Sequence, residues 1–269
     1  MKRLVIFLLL SLFSFGSIAQ ELMQAIVDAQ NSQAKGLAIA EMQDYRSTGW
    51  QDLEVDMVMV LRNRSGKKTQ REMQSRYMEV VGDGSKSLSI FDKPRTIKGT
   101  AMLTWSHALK PDDQWLFLPA LKRVKRISSK NKSGPFMGSE FAFEDLALPI
   151  AEKYSYKYLR DENLEGNDCY VVERYPAYKY SGYSRQTSWV DKQRFILQRV
   201  VFYDRKNTLL KTLDFKDYKQ YLGKYWWFDM LVMQNHQTGK SSTMYFKNHK
   251  FGNGFTNRDF DKTALKRVR

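Results

Sequence analysis

The chain has 269 residues, a length that permits one large β domain or two small ones. Hydrophobic residues make up 42% of it and charged residues 27%, a balance that allows a buried core and excludes global disorder. The formal net charge is +15, which in a cytosolic protein would suggest nucleic-acid binding.

The first residues have the pattern of an export signal. Lys2 and Arg3 give a positive start, residues 4–15 form an almost unbroken apolar run, and residues 17–19 follow a small-x-small pattern. We therefore predict cleavage after Ala19, which removes two cations and lowers the net charge from +15 to +13. The alternative is an uncleaved anchor, but a bilayer span needs about 20 apolar residues and this run is shorter.

Export changes the interpretation of the charge. It argues against nucleic acid and favours anionic lipid head groups or an acidic partner, with solubility alone as the simplest alternative. The lone cysteine, Cys169, cannot form an internal disulfide, so the core must be sufficient to hold the mature protein together.

Hydrophobic periodicity predicts a short helix followed by many strands. Residues 21–31 have an amphipathic helical pattern. From Trp50 the period becomes two, and Val55, Met57 and Met59 fall on one apolar face. About ten strands follow, joined by loops too short for parallel crossovers, so we predict a mainly β protein with an antiparallel meander. A sheet of this size curls towards a barrel or half-barrel.

Two segments depart from this pattern of short alternating strands. Residues 128–149 form a long connection that carries Phe136, Met137, Phe141 and Phe143, and a loop of this length in a compact β domain is usually functional or mobile. In residues 225–228, alternation places Trp226 and Trp227 on opposite faces, so both faces of that strand must be covered.

Catalytic and metal-binding patterns are weak. There is no nucleophile elbow and no glycine-rich phosphate loop, and the cysteine and histidines lack ligand spacing. The acidic group in residues 140–145 is more typical of helix capping than of acid–base chemistry. We therefore expect no enzyme activity, no cofactor and no metal site. The histidines are His107, His236 and His249.

A basic run is more informative. Within residues 122–132, cations alternate with Val124 and Ile127, which is consistent either with a solvated strand or with contact to a phosphate-bearing head group. The candidate head-group or partner contacts are Lys122, Arg123, Lys125 and Arg126.

Residues 112–146 resemble the signature of the outer membrane lipoprotein-sorting proteins, relatives of the lipoprotein carrier LolA. The matching pieces are Trp115, residues 118–119, the basic residues 121–127, residues 136–139 and residues 144–146. The resemblance implies an incomplete, strongly curved antiparallel β-barrel with covering helices, in one domain over residues 20–269. It also implies a periplasmic protein that binds acyl chains in the hollow, in a subgroup that looks like accessories of inner-membrane resistance-nodulation-division (RND) exporters.

The residues and the resemblance together favour a periplasmic carrier of a lipid, a lipoprotein acyl chain or a similar amphiphile, with transient contact to a membrane surface. The alternative is a non-carrying sensor or adaptor of the same fold that docks on an RND-type exporter, and a hollow filled by side chains would favour it. The predicted ligand contacts of hollow and lid are Val55, Met57, Met59, Trp115, Phe117, Phe136, Met137, Phe141, Phe143, Trp226 and Trp227.

Overall fold

The computed structural model describes residues 18–147 and 150–267. Most of the predicted signal peptide, residues 1–17, lies outside the described residues, while Ile18 and Ala19 begin the first helix. No described helix is both long enough and apolar enough to cross a membrane.

Three α-helices and thirteen strands make up the described chain. The helices are α1 (Ile18–Val27), α2 (Ser32–Ser47) and α3 (Ala264–Arg267). The strands are β1 (Asp52–Arg62), β2 (Lys68–Glu79), β3 (Ser85–Lys93), β4 (Ala101–Trp105), β5 (Asp113–Leu118), β6 (Arg123–Arg126), β7 (Tyr154–Leu164), β8 (Asn167–Pro176), β9 (Tyr183–Asp191), β10 (Leu197–Asp204), β11 (Leu209–Tyr221), β12 (Tyr225–Asn235) and β13 (Ser241–Phe251).

All thirteen strands belong to one antiparallel sheet, in the order β6-β5-β4-β3-β2-β1-β13-β12-β11-β10-β9-β8-β7. Two meanders, β1–β6 and β7–β13, are joined where β1 pairs with β13. The edge strands β6 and β7 do not pair, so the curved sheet stays open as an incomplete barrel. The predicted fold class, mainly β with an antiparallel half-barrel and covering helices, is confirmed.

Helix α2 was not predicted from the sequence, and the helix predicted over residues 21–31 ends at Val27. The Asn31 side chain caps α2 by accepting a 2.8 Å hydrogen bond from the Ala34 amide. A Cβ at Gly36 would lie 2.9 Å from the Tyr158 backbone nitrogen, so only glycine lets α2 approach β7 this closely. Ile39 is fully buried in the cluster between this helix and the sheet.

Because the sheet is a meander, its hairpins alternate between two ends. One end carries residues 63–67, 94–100, 119–122 and 236–240, and we call it the plugged end. The other carries residues 80–84, 106–112, 192–196 and 222–224, and we call it the hollow end.

In the connection between β6 and β7, the described residues 127–147 cross the inner face of the sheet. Its tip is a tight turn in which Pro135 bridges Ala142 and the Phe136 amide donates a 2.7 Å hydrogen bond to the Phe141 carbonyl. Phe136 and Phe141 are each 2% exposed and pack in the main core. We call residues 134–146 the plug.

A separate cluster covers the outer face of β3–β5. Trp115 packs there with Phe260 and Leu265, from the C-terminal segment, and Phe117 lies against the same cluster. This placement differs from the sequence expectation, which put Trp115 and Phe117 in the hollow. The physical reason is the period of two, because their neighbour Gln114 faces inwards and donates a 2.9 Å hydrogen bond to the Phe143 carbonyl of the plug.

Candidate hydrophobic binding site

A cavity of about 670 Å³ lies between the inner face of the sheet, helix α2 and the plug. Small-molecule sites in proteins typically occupy roughly 300–1,000 Å³. Its apolar lining includes Trp50, Met57, Met73, Met102, Phe136, Phe141, Leu146, Leu197, Val200, Phe202, Leu213, Phe215, Trp226, Trp227, Phe228, Leu231, Met244 and Phe246.

The cavity exists because small side chains face inwards at the hollow end. On β3, Ser87 and Ser89 line it, whereas Phe91, next on the same face, is fully buried against Phe136 at a ring distance of 5.8 Å. On β1, Met57 lines the cavity, while Met59, two residues nearer the plugged end, does not. The plug therefore fills one end of the half-barrel and leaves the other unfilled.

A buried ion pair holds the plug in place. The Lys211 Nζ lies 2.6 Å from the Asp145 carboxylate, and the two side chains are only 4% and 5% exposed. Lys211 also donates a hydrogen bond to the Glu140 carbonyl at 3.0 Å, and the Tyr183 hydroxyl donates to Asp145 at 2.6 Å. Burial and the neighbouring acidic groups raise the pKa of Tyr183, so it remains a donor.

The base of the plug has a second anchor. The Glu144 carboxylate accepts hydrogen bonds from the Gly182 amide at 2.8 Å, the Ser181 hydroxyl at 2.9 Å and the Tyr178 hydroxyl at 3.2 Å. Burial, followed by the proximity of Asp145, raises the pKa of Glu144. A segment held by this many buried polar contacts is well anchored at the plugged end.

One part of the cavity wall is polar. Arg174 on β8 stands opposite Gln186 on β9, and its Nε donates a 2.7 Å hydrogen bond to the Gln186 side-chain oxygen. Ser188, further along β9, is 4% exposed, and its hydroxyl has no hydrogen-bond partner among the described residues. Asp44 of α2 lines the same cavity, and burial raises its pKa to about 6.

A charged cluster lies beside the 106–112 hairpin. The Asp112 carboxylate forms an ion pair with Lys153 at 2.5 Å. The backbone carbonyl of Asp112 accepts a 2.6 Å hydrogen bond from Lys132. All three residues line the cavity. Burial lowers the pKa of Lys132, which is consistent with an ammonium group held inside the protein.

The structure brings some of the predicted ligand contacts together and separates others. Met57, Phe136, Phe141, Trp226 and Trp227 line the cavity. The others are not part of the lining: Val55 and Met59 are buried in the main core, Met137 and Phe143 lie half-buried against it, and Trp115 and Phe117 face the outer side.

Trp226 and Trp227 both reach the cavity, although strict alternation would separate them. Both residues pair regularly with β11, Trp226 with Gln220 and Trp227 with Lys219. Trp227 meets Trp50 edge-on at a ring distance of 5.5 Å, and Arg194 lies 5.4 Å from the ring of Trp226.

The predicted head-group contacts lie at the β6 edge of the sheet, outside the cavity lining. Lys122, in the turn before β6, has a left-handed backbone with a φ of 47°, and Arg123 and Lys125 are exposed. Arg126, also exposed, forms an ion pair with Asp113.

Several lining residues were missed by reasoning from the sequence. Helix α2 contributes Gln43, Asp44 and Ser47, and its weak apolar periodicity gave no signal. Ser87 and Ser89 gave a signal that could have been used, since two small polar residues on the inner face of a strand leave space. Among the described residues, no group of His, Cys, Asp and Glu side chains is arranged to hold a metal ion.

Comparison with known proteins places the chain among its relatives. A family model whose description is "Uncharacterized protein" matches residues 83–267. No curated protein matches the sequence. An outer membrane lipoprotein-sorting protein domain from Vibrio parahaemolyticus is 51% identical, with a TM-score of 0.85, and the match covers 86% of this chain and 98% of that one.

Two further solved structures are similar. A DUF1329 family protein from Desulfovibrio piger is 31% identical, with a TM-score of 0.83, over 87% of this chain and 99% of that one. A LolA superfamily protein from Nitrosomonas europaea is 21% identical, with a TM-score of 0.68, over 88% of this chain and all (100%) of that one. The last likeness concerns the fold alone.

Proposed function

Because the chain belongs to the family of the outer membrane lipoprotein-sorting and DUF1329 proteins, we propose that it is a periplasmic carrier of an amphiphile. In this proposal the hydrocarbon of a lipid or of a lipoprotein acyl chain lies in the cavity and passes between components of the envelope. The protein binds its cargo and performs no chemistry on it.

The observation that carries the proposal is the unfilled apolar cavity of about 670 Å³. Burying one methylene group gains about 0.8 kcal/mol, so a chain of about twelve carbons gains on the order of 10 kcal/mol before the costs of binding. A non-carrying adaptor of the same fold would have no use for such a space, so the cavity favours carriage over the adaptor alternative.

The aromatic and methionine residues of the lining suit this role. Met57, Met73, Met102 and Met244 have flexible side chains that adapt to chains of different shape. The basic residues near β6 are proposed to contact an anionic membrane surface or an inner-membrane RND-type exporter during transfer.

Native mass spectrometry of the protein isolated from the periplasm, before and after organic extraction, tests the proposal directly. We expect a bound amphiphile that extraction removes. The extracted protein should then bind N-phenyl-1-naphthylamine, an uncharged dye that fluoresces in apolar surroundings.

A variant that fills the cavity sharpens this test. Ser87→Trp places an indole in the hollow, and we expect it to weaken dye binding by at least about tenfold. Ser155→Trp, on the exposed side of β7, is the matched control and should bind like the wild type. A protein isolated without lipid that ignores the dye, or an unaffected Ser87→Trp variant, would contradict carriage in this cavity.

A further inference from the structure

The cavity wall contains a polar patch on β8 and β9, in addition to the charged cluster beside the 106–112 hairpin. Arg174 on β8 and Gln186 on β9 are cross-strand partners, and Ser188 lies two residues along from Gln186 on the same face of the sheet. All three side chains line the cavity. Polar groups are usually buried in apolar pockets at a few positions, where they fix the orientation of a ligand.

The guanidinium of Arg174 is held in position by neutral neighbours. Its Nε donates to Gln186 at 2.7 Å, and the group lies 4.8 Å from the centre of the Tyr154 ring. Glu173, the adjacent acid, is paired instead with Arg185 at 2.6 Å. Among the described residues, no carboxylate lies within ion-pair distance of Arg174. Asp44 of α2 is near enough for Arg174 to lower its pKa, but it forms no ion pair with the guanidinium, so the terminal nitrogens of Arg174 are available for an anion.

Ser188 gives a second and independent observation. The side chain is buried, and its hydroxyl has no hydrogen-bond partner among the described residues. A buried hydroxyl without a partner costs free energy, which a ligand oxygen beside it would recover. Ser188 is diagonal to Arg174 across the β8–β9 pair, two residues along from Gln186. A hydroxyl without a partner on the same cavity wall as an oriented guanidinium suits an oxyanion, because arginine binds carboxylate and phosphate oxygens in pairs.

We infer that Arg174, Gln186 and Ser188 form an oxyanion subsite, so that the preferred cargo is an amphiphile with a carboxylate or phosphate head group. The head group accepts hydrogen bonds from Arg174 and Ser188, while the hydrocarbon chain lies along the apolar wall. This inference rests on the proposed carrier function and adds the chemical class of its cargo.

The test compares three amphiphiles of equal chain length at pH 8: laurate, dodecyl phosphate and the uncharged dodecanol. Each is titrated against the extracted protein loaded with N-phenyl-1-naphthylamine, and its affinity is obtained from loss of fluorescence. We expect laurate and dodecyl phosphate to bind at least about tenfold more tightly than dodecanol, since hydrogen bonds to charged groups are worth about a factor of ten or more.

Variants assign the preference to the subsite. In Arg174→Gln we expect the affinity for both anions to fall by at least about tenfold, with dodecanol changing less than threefold. Arg174→Lys, which keeps the charge, should retain part of the preference, and Ser188→Ala should weaken anion binding by about threefold. Arg62→Gln removes the same charge from an exposed position at the plugged end and is expected to change nothing.

Failure of the inference is distinguishable from failure of carriage. Equal affinities for the three amphiphiles, or an Arg174→Gln variant that still prefers anions, would overturn the oxyanion subsite and leave the carrier intact. Displacement of bound laurate by millimolar inorganic phosphate would show that free phosphate occupies the site and would overturn its assignment to a lipid head group. If none of the three amphiphiles displaces the dye, the proposed carrier function itself fails.

Discussion

The plugged and hollow ends of the sheet are built from the same strands, yet the plug packs against one end and the cavity extends towards the other. On β3 the inner face runs Ser87, Ser89, Phe91, and the change from hydroxymethyl to phenyl marks the boundary between the two ends. The plug adds Phe136 and Phe141 only at the end where the sheet already presents large side chains. Two features of the sequence therefore leave the hollow open: the strands carry small inward-facing residues there, and the phenylalanines of the plug pack at the opposite end.

The two ends also treat charge differently. At the plugged end, Lys211 and Asp145 are buried as a close pair. Around the hollow, Asp112 is paired with Lys153, but Asp44 is half-buried and has no ion-pair partner among the described residues, and its raised pKa reflects that desolvation. A paired charge fixes one conformation of the plug, whereas a solitary ionisable group in a cavity wall leaves the site responsive to pH and to charged ligands.

The largest expected effect comes from breaking the buried pair. Lys211→Met leaves Asp145 as an uncompensated buried charge, and we expect a loss of about 3–5 kcal/mol in unfolding free energy. Urea denaturation at pH 7 measures it. The double variant Lys211→Met/Asp145→Asn should recover most of this loss, because no isolated charge remains.

The matched control lies at the other end of the sheet. The Lys219 side chain is 66% exposed in its ion pair with Asp229, so Lys219→Met should cost less than about 1 kcal/mol. Equal losses in Lys211→Met and Lys219→Met would show that the plug is not anchored by a buried pair.

The second prediction compares two phenylalanines. Phe91 is fully buried beside the plug, and Phe91→Ala should cost about 3–5 kcal/mol in unfolding free energy. Phe228 borders the cavity and is only half-buried, so Phe228→Ala removes less buried surface and should cost only about 1–3 kcal/mol. Denaturation of both variants under one set of conditions measures the difference, and a larger loss for Phe228→Ala would mean that side chains fill the hollow.

Much of the fold could be predicted because it depends on local patterns. Alternation in residues 53–61 identifies β1 and its apolar face, and short polar turns such as 63–67 exclude parallel crossovers. Helix α2 could not be predicted in the same way. Its packing depends on Gly36 meeting the backbone of β7, a contact between segments far apart in sequence.

The candidate site could be predicted only in part, for a related reason. Trp115 and Met57 are both strand residues on apolar faces, and nothing in the alternation says which face turns inwards. That choice is made by the curvature of the whole sheet and by the C-terminal residues that cover its outer side. Arg174 gave no signal at all, because its proposed role depends on neighbouring strands and on α2.

The third prediction concerns Asp44, a carboxyl of the cavity wall that has no ion-pair partner among the described residues. The pKa of Asp44 is raised from its usual 3.8 to about 6, mainly by burial, with Glu152 and Glu41 adding to the rise while the Ala151 amide and Arg174 oppose it. Its contribution to stability is therefore fully present below about pH 4 and is lost as the pH rises through 6.

Asp44→Asn removes this dependence while keeping an oxygen that accepts from the Ala151 amide. We expect the variant to be more stable than the wild type by about 1–2 kcal/mol at pH 8 and to differ from it by no more than about 0.5 kcal/mol at pH 4. Thermal or urea unfolding at the two pH values measures the difference. A constant gap between the two proteins at both values would show that Asp44 ionises as an ordinary surface acid does.

The smallest effect on stability is expected at the edge of the sheet, where the cations are exposed. Replacing the β6 cations by glutamine should change the unfolding free energy by less than about 1 kcal/mol, because the ion pair that is lost, Arg126–Asp113, is a surface pair. The four positions are Lys122, Arg123, Lys125 and Arg126.

The proposed role of these four cations is electrostatic, and each cation near an anionic surface is worth about 1 kcal/mol. We therefore expect the variant to lose salt-sensitive sedimentation with phosphatidylglycerol vesicles and neither protein to sediment with phosphatidylcholine vesicles.

A control variant separates location from total charge. It replaces four exposed lysines that lie elsewhere and form no ion pair among the described residues: Lys157, Lys206, Lys240 and Lys247. Because its net charge equals that of the β6 variant, a specific contact surface predicts loss of vesicle binding in the β6 variant alone. Equal losses in both would mean that the positive charge acts over the whole protein. Since the β6 cations lie outside the cavity lining, both variants should bind laurate like the wild type, which keeps the membrane contact and the cargo site experimentally separate.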